Sequence, residues 1–102
     1  MKLLKELKNE LVGIYGSQLK AVYLYGSYAR GEAHPPDSDI DVLLVLRGDF
    51  NYGEMLRRSE DFIASFCLKN DVLVSRAFVS ETEYESKQTP FLINVRRDAI
   101  PI

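Results

Sequence analysis

Two aspartates, Asp39 and Asp41, stand one residue apart at the head of the apolar run Val42-Leu-Leu-Val-Leu46. In a strand, residues two apart share a face, so both carboxylates project together while Ile40 turns the other way. Like charges that close raise each other's pKa unless a cation sits between them. Upstream, Gly26-Ser27 closes a second apolar run. A glycine there lets the backbone turn sharply and approach a ligand closely. The exposed N–H groups of such a turn, opening into a helix, favour an anion, and Ser27 Oγ adds a donor. Asp71 opens a third apolar run and supplies a third carboxylate. Carboxylates for magnesium and a turn for phosphate point to magnesium-dependent nucleotidyl transfer. Each member is weak alone: Gly-Ser pairs mark ordinary turns, and a turn aspartate is the plainer reading of Asp71. The order in which they occur is more specific than any one of them.

The elements that must position these groups are legible in outline. Leu3, Leu4, Leu7, Leu11 and Val12 recur at helical spacing, with Gly16 as the stop. Leu19 to Tyr25 reads as a strand, and Ser27 then caps a short helical turn through Tyr28, Ala29 and Arg30 before Gly31. Pro35-Pro36-Asp37-Ser38 makes a loop. A strand from Asp39 to Leu46, too apolar to face water, is expected at the centre of the sheet. Tyr52 to Cys67 follows as an amphipathic helix, Lys69-Asn70 as a turn, and Asp71 to Val79 as a third strand. Ser80-Glu-Thr-Glu83 has capping-box spacing, and Pro90 opens a helix over Phe91 to Arg97. Ala99 to Ile102 offers a fourth, short edge segment whose pairing Pro101 limits.

This pattern predicts an α/β (α+β) chain: one domain over residues 1–102, with a small mixed three-stranded sheet flanked by helices. The second and third strands, joined by a helical crossover, should be parallel, with Asp39 and Asp71 level at their starting ends. The first strand should be antiparallel to the second, bringing Gly26-Ser27 to the same end. Neighbouring strands lie ~4.8 Å apart, so three carboxylates from that corner could surround one or two cations.

Composition narrows the function classes. A net charge of −2 argues against a nucleic-acid binder, and the Arg57-Arg58 and Arg96-Arg97 pairs read as solvated faces. Cys67 is the single cysteine, so no internal disulfide can form; between Phe66 and Leu68 it reads as a buried, inert thiol. No apolar run approaches the ~18 residues of a membrane span, and the N-terminal charges are unlike a signal peptide. A cytoplasmic protein is expected. His34, in the proline loop, reads as exposed; Tyr23 and Tyr25 read as core, with Tyr28 a candidate stacking face.

Tyr25-Gly-Ser-Tyr-Ala-Arg-Gly31 with Ser38-Asp-Ile-Asp-Val42 resembles the signature of the polymerase-beta-like nucleotidyltransferases, and more narrowly that of their minimal nucleotidyltransferase (MNT) group. The resemblance covers the whole chain in element order and is motif-specific in its first half. It implies the polymerase-beta-like fold, two magnesium ions and ATP as the substrate. It implies catalytic and metal-binding roles for Asp39, Asp41 and Asp71, and nucleotide phosphates on Gly26 and Ser27. Arg30 is added from its place one turn into the short helix, where it could reach a triphosphate bidentately. Two departures stand out: the Gly-Ser to Asp spacing is one residue longer than is common, and Asp71 follows Lys69-Asn70 rather than sitting inside an apolar strand. Proteins of this group are paired with HEPN-domain toxins, and act as antitoxins that adenylylate a tyrosine of the toxin. The resemblance thus implies a hetero-oligomer with such a partner and no direct contact with nucleic acid or membrane. The alternative is a binding module that neutralises the partner by covering it, its metal site weak or idle.

Overall fold

The apolar run behind Asp41 becomes the middle of the sheet. The computed structural model describes residues 2–31 and 39–102. In chain order it has α1 (Lys2–Tyr15), a 3-10 turn (Gly16–Gln18), β1 (Leu19–Tyr25), α2 (Gly26–Ala29) and β2 (Ile40–Leu46). There follow α3 (Tyr52–Asn70), β3 (Val74–Ser80), α4 (Glu81–Ser86), α5 (Pro90–Asp98) and β4 (Ile100–Pro101). The sheet order is β3-β2-β1-β4, a mixed four-stranded sheet. β1 runs antiparallel to β2 and to β4, whereas β2 and β3 are parallel, as the crossover through α3 requires. The central placement and both strand directions agree with the sequence reading. The expectations for His34 and for Pro35 to Ser38 lie outside the described residues.

β2 is covered on both faces, which explains its uniform hydrophobicity. Ile40, Val42, Leu44 and Leu46 pack with Leu7 and Leu11 of α1 and with Met55, Ile63 and Phe66 of α3. Leu43 and Val45, alternating to the other side, pack with Leu92 and Val95 of α5. Tyr23 and Tyr25 lie on that second side, half-buried rather than fully enclosed, with Tyr23 stacked on Tyr84. Under the first face sits a polar knot. The Tyr15 hydroxyl donates to the Met55 carbonyl at 2.6 Å and lies 2.8 Å from Ser59 Oγ. Arg76 Nη1 donates to the same Oγ at 2.7 Å, so the fully buried Ser59 is satisfied.

Several local expectations need correction. α3 runs on to Asn70, because Leu68-Lys69-Asn70 contains no breaker; Lys69 and Asn70 are helical, and Asn70 Nδ2 donates back to the Phe66 carbonyl at 2.9 Å. The helix stops at Asp71, which takes the left-handed conformation (φ +52°) that aspartate tolerates better than most residues. β3 therefore begins at Val74, three residues later than the sequence pattern suggests. Ser27 lies inside α2 and does not cap it; the cap position is Tyr25, with no side-chain hydrogen bond. The arginine pairs are not merely solvated: Arg58 donates to the Ile14 carbonyl and Gln18, and Arg96 to the Tyr84 and Lys87 carbonyls. Cys67 is half-buried against the larger core. The capping box at Ser80 and Glu83 and the Pro90 start of α5 are both present.

Candidate functional site

The register of β1 on β2 sets Tyr25 opposite Asp41, so Gly26 leaves the sheet directly beside that carboxylate. Gly26 has φ +73°, a conformation costly for any residue with a Cβ. Space forbids one too: a Cβ there would collide with Asp41 Oδ2 and come within 3.3 Å of Asp41 Cγ. The glycine is thus required twice, once by the turn and once by the acid it touches. Asp39 precedes the first residue of β2 and is exposed, while Asp41 is half-buried. The Asp41 pKa is raised above the usual carboxylate value, first by burial and then by the Asp39 charge, with Arg30 pulling the other way. The Tyr25 hydroxyl beside it is pushed up to about 12, by burial first and then by Asp41 and Tyr52.

The sequence-predicted residues do not all converge. Gly26 lies against Asp41, and Asp39 and Arg30, at the end of α2, are both close enough to act on the Asp41 charge. Ser27 contributes backbone to α2; its hydroxyl lies outside what is described. α2 is a single turn, so any anion would be held by local N–H groups rather than by an extended dipole. Asp71 is the exposed end cap of α3, three residues before β3 starts. Among the described residues no three His, Cys, Asp or Glu side chains come together as a metal-binding group. The three-carboxylate corner expected from the sequence is therefore not assembled from Asp39, Asp41 and Asp71. The extra turn of α3 is the physical reason.

Beside Gly26 opens a cleft of about 120 Å³, walled by Tyr25, Arg30, Phe91, Asn94, Val95 and Asp98. The ring of Phe91 meets that of Tyr25 edge-on, 5.5 Å between centroids. Residues 91, 94, 95 and 98 have the spacing of one helical face, a signal present in the sequence, though nothing there says that this face meets the Gly-Ser turn. Asp98 pairs with Arg97 at 3.1 Å, which holds its carboxyl below the usual range with further help from Arg30.

The model of the nucleotidyltransferase domain family matches residues 2–100. The chain belongs to that family. It is a nucleotidyltransferase domain, with the polymerase-beta-like fold. Among its relatives is MJ0604 of Methanocaldococcus jannaschii, provisionally named a protein adenylyltransferase, 35% identical over 86 residues that span 84% of this chain and 79% of the relative. MJ0141 of the same organism, similarly named, is 32% identical over 87 residues, spanning 80% and 81%. In three dimensions, a provisionally assigned nucleotidyltransferase of Sulfolobus solfataricus superposes with TM-score 0.67 and 27% identity, covering 98% of this chain and 76% of that one. A toxin–antitoxin structure with AMP-PNP gives TM-score 0.66 at 20% identity, over 99% and 72%. An MNT antitoxin in complex with a tri-AMPylated Shewanella oneidensis HEPN toxin gives 0.58 at 19%, over 99% and 71%.

Membership of this nucleotidyltransferase family raises the question of a divalent cation. The donor set is suitable: two hard carboxylate oxygen groups, one of them half-buried and destabilised by the other's charge. Two carboxylates with substrate phosphates are a normal magnesium complement. No helix of the described residues is long and apolar enough to cross a membrane.

Proposed function

We propose that this nucleotidyltransferase domain binds ATP with magnesium at the Gly26–Asp41 corner and transfers AMP to a hydroxyl, a tyrosine of a HEPN-domain partner. The observation that carries the proposal is the packing of Gly26 against the Asp41 carboxylate: a turn able to take phosphate lies in contact with an acid that needs a cation. The adenylyltransferase names of the relatives and the AMPylated toxin bound to a related antitoxin support AMP and a HEPN partner.

Asp39 and Asp41 would hold magnesium, which, when bound, supplies charge neutralisation for the triphosphate and lowers the pKa of an attacking hydroxyl. The remaining work is positioning. Gly26 and Ser27 present backbone N–H groups to the β and γ phosphates, and Arg30 adds a guanidinium to the same anion. The cleft between Tyr25 and Phe91 gives the nucleoside an aromatic wall. The acceptor oxygen bonds to the α-phosphorus as the bond to the bridging oxygen breaks. Pyrophosphate leaves with that electron pair, and the hydroxyl proton passes to water.

A second reading, neutralisation of the partner by covering it, gains weight from the placement of Asp71 away from the strand. Incubation of the chain with its partner, labelled ATP and magnesium separates the two. Label and a mass gain of AMP units on the partner establish transfer, whereas inhibition of the partner without ATP establishes covering.

A further inference from the structure

We infer that Ser75 stands where a third carboxylate would complete the site, so that this chain holds its nucleotide with one divalent cation and transfers slowly. The inference rests on the nucleotide-binding reading above and sharpens it. In the parallel β2–β3 pair, Asp41 is level with Ser75, on strands about 4.8 Å apart. Both residues belong to the face that packs on α5: Leu43 and Val45 continue the Asp41 side of β2, and Ala77 and Val79 continue the Ser75 side of β3. Ser75 is exposed, as a residue lining an open site would be. It is the position from which an acid could reach across to Asp41, and it is neutral.

Nothing else among the described residues replaces it. β3 reads Val-Ser-Arg-Ala-Phe-Val-Ser and contains no acid. Asp71 caps α3 before the strand begins. Asp98 is engaged by Arg97 on α5. Glu81 and Glu83 open α4 at the opposite end of the pair, beyond the level of Leu46 and Ser80. Two carboxylates and the triphosphate oxygens make a ligand set for one dication; a serine hydroxyl, neutral, adds no third anionic ligand from β3 to fix a second. It also leaves the acceptor's proton to water, with no carboxylate from β3 to draw on it.

The test counts ions. The full chain is loaded with the α,β-methylene analogue of ATP, which cannot transfer, and titrated with Mn²⁺ while free Mn²⁺ is read by electron paramagnetic resonance. Wild type and Ser75→Asn should bind one Mn²⁺ per nucleotide-loaded chain, and Ser75→Asp two. With ATP and an acceptor, Ser75→Asp should transfer AMP at least about tenfold faster, the gain expected of a modest electrostatic contribution. Two ions in the wild type, or one in a folded Ser75→Asp, overturns the inference while leaving nucleotide binding intact. The wild-type count decides even if the aspartate variant fails to fold. Failure of the analogue to bind at all overturns this inference and the functional proposal together.

Discussion

The two ends of β2 solve opposite electrostatic problems. At the Leu46 end, Lys20 bonds to Glu81 and lies 3.7 Å from Glu85, and Arg47 donates to the Ser17 and Leu19 carbonyls at 2.6 and 3.1 Å. The Glu81 hydrogen bond raises the Lys20 pKa, and the same bond lowers that of Glu81, so each charge is favoured by its partner. At the Asp41 end, burial and a second aspartate disfavour the charge. One end is closed by the protein itself. The other carries like charges that Arg30 offsets only in part, and that remainder is what the proposed cation would relieve.

The strongest test of that contrast removes the charges. Asp39→Asn and Asp41→Asn should each lower AMP transfer by about 10²-fold or more. They should also abolish stabilisation by nucleotide, which in the wild type amounts to about 2.7 kcal/mol with Mg-ATP at 100 times its Kd. Thermal unfolding with and without Mg-ATP reads the second effect directly. An Asp41→Asn protein that Mg-ATP still stabilises fully would remove the ligand from this end of the sheet.

Gly26→Ala comes next, and Gly48→Ala is its matched control at the other end. The two glycines share nearly the same φ, +73° and +75°, but a Cβ at Gly48 meets nothing within 4 Å. Gly48→Ala should therefore cost only the backbone term, about 1–2 kcal/mol. Gly26→Ala should cost more in urea unfolding, because Asp41 must move as well, and should weaken nucleotide binding. Equal costs with nucleotide affinity retained would mean that the Gly26–Asp41 contact is incidental.

Much of this was legible before any coordinates. Val42 to Leu46 is too apolar for anything but a central strand, and the helix-length gap before the next apolar run dictates parallel pairing. Capping residues Ser80, Glu83 and Pro90 mark their helices from local chemistry alone. The failure at Asp71 is equally physical. A helix end is set by where a residue can adopt the left-handed conformation, and aspartate and asparagine both can, so Asn70 and Asp71 compete for the stop. The three-residue difference in where β3 begins changes which residue faces Asp41. Register between strands distant in sequence depends on packing across the sheet, and no local pattern in Val74 to Ser80 announces that Ser75 is the one opposite.

A smaller effect follows from the raised Asp41 pKa. A carboxyl whose folded-state pKa lies above its unfolded value contributes stability in its protonated form, present in full below the unfolded value and lost as pH rises through the folded one. At pH 7 the charged Asp41 is thus a liability, and Asp41→Asn should unfold at a higher temperature. The gain should stay below about 1 kcal/mol, because solvent screens a carboxylate this open. It should vanish as pH falls through the folded value, where the wild-type group becomes neutral. Melting temperatures of both proteins at pH 7 and at about pH 4, near the ordinary carboxylate range, give the sign. A wild type more stable than Asp41→Asn at pH 7 without added cation would contradict the contrast between the two ends.

The least change is expected at the paired end. Lys20 and Glu81 are exposed, and surface pairs of this kind are largely screened by solvent and salt. Lys20→Met and Glu81→Gln, singly and together, should show little coupling in a double-mutant cycle and leave nucleotide affinity unchanged. Distance gives the reason. Leu46, level with Leu19, stands five residues from Asp41 along β2, so the two ends lie roughly 16 Å apart at ~3.3 Å per residue, about twice the ~8 Å Debye length at physiological salt. If Glu81→Gln altered nucleotide affinity at that salt, the two ends could not be electrostatically independent. The link would then have to run through the packed interior of β2, where Leu43 and Val45 touch α5 and α5 walls the cleft beside Gly26. Repeating the titration in Leu92→Ala, which loosens that contact without touching a charge, would tell the mechanical route from the electrostatic one.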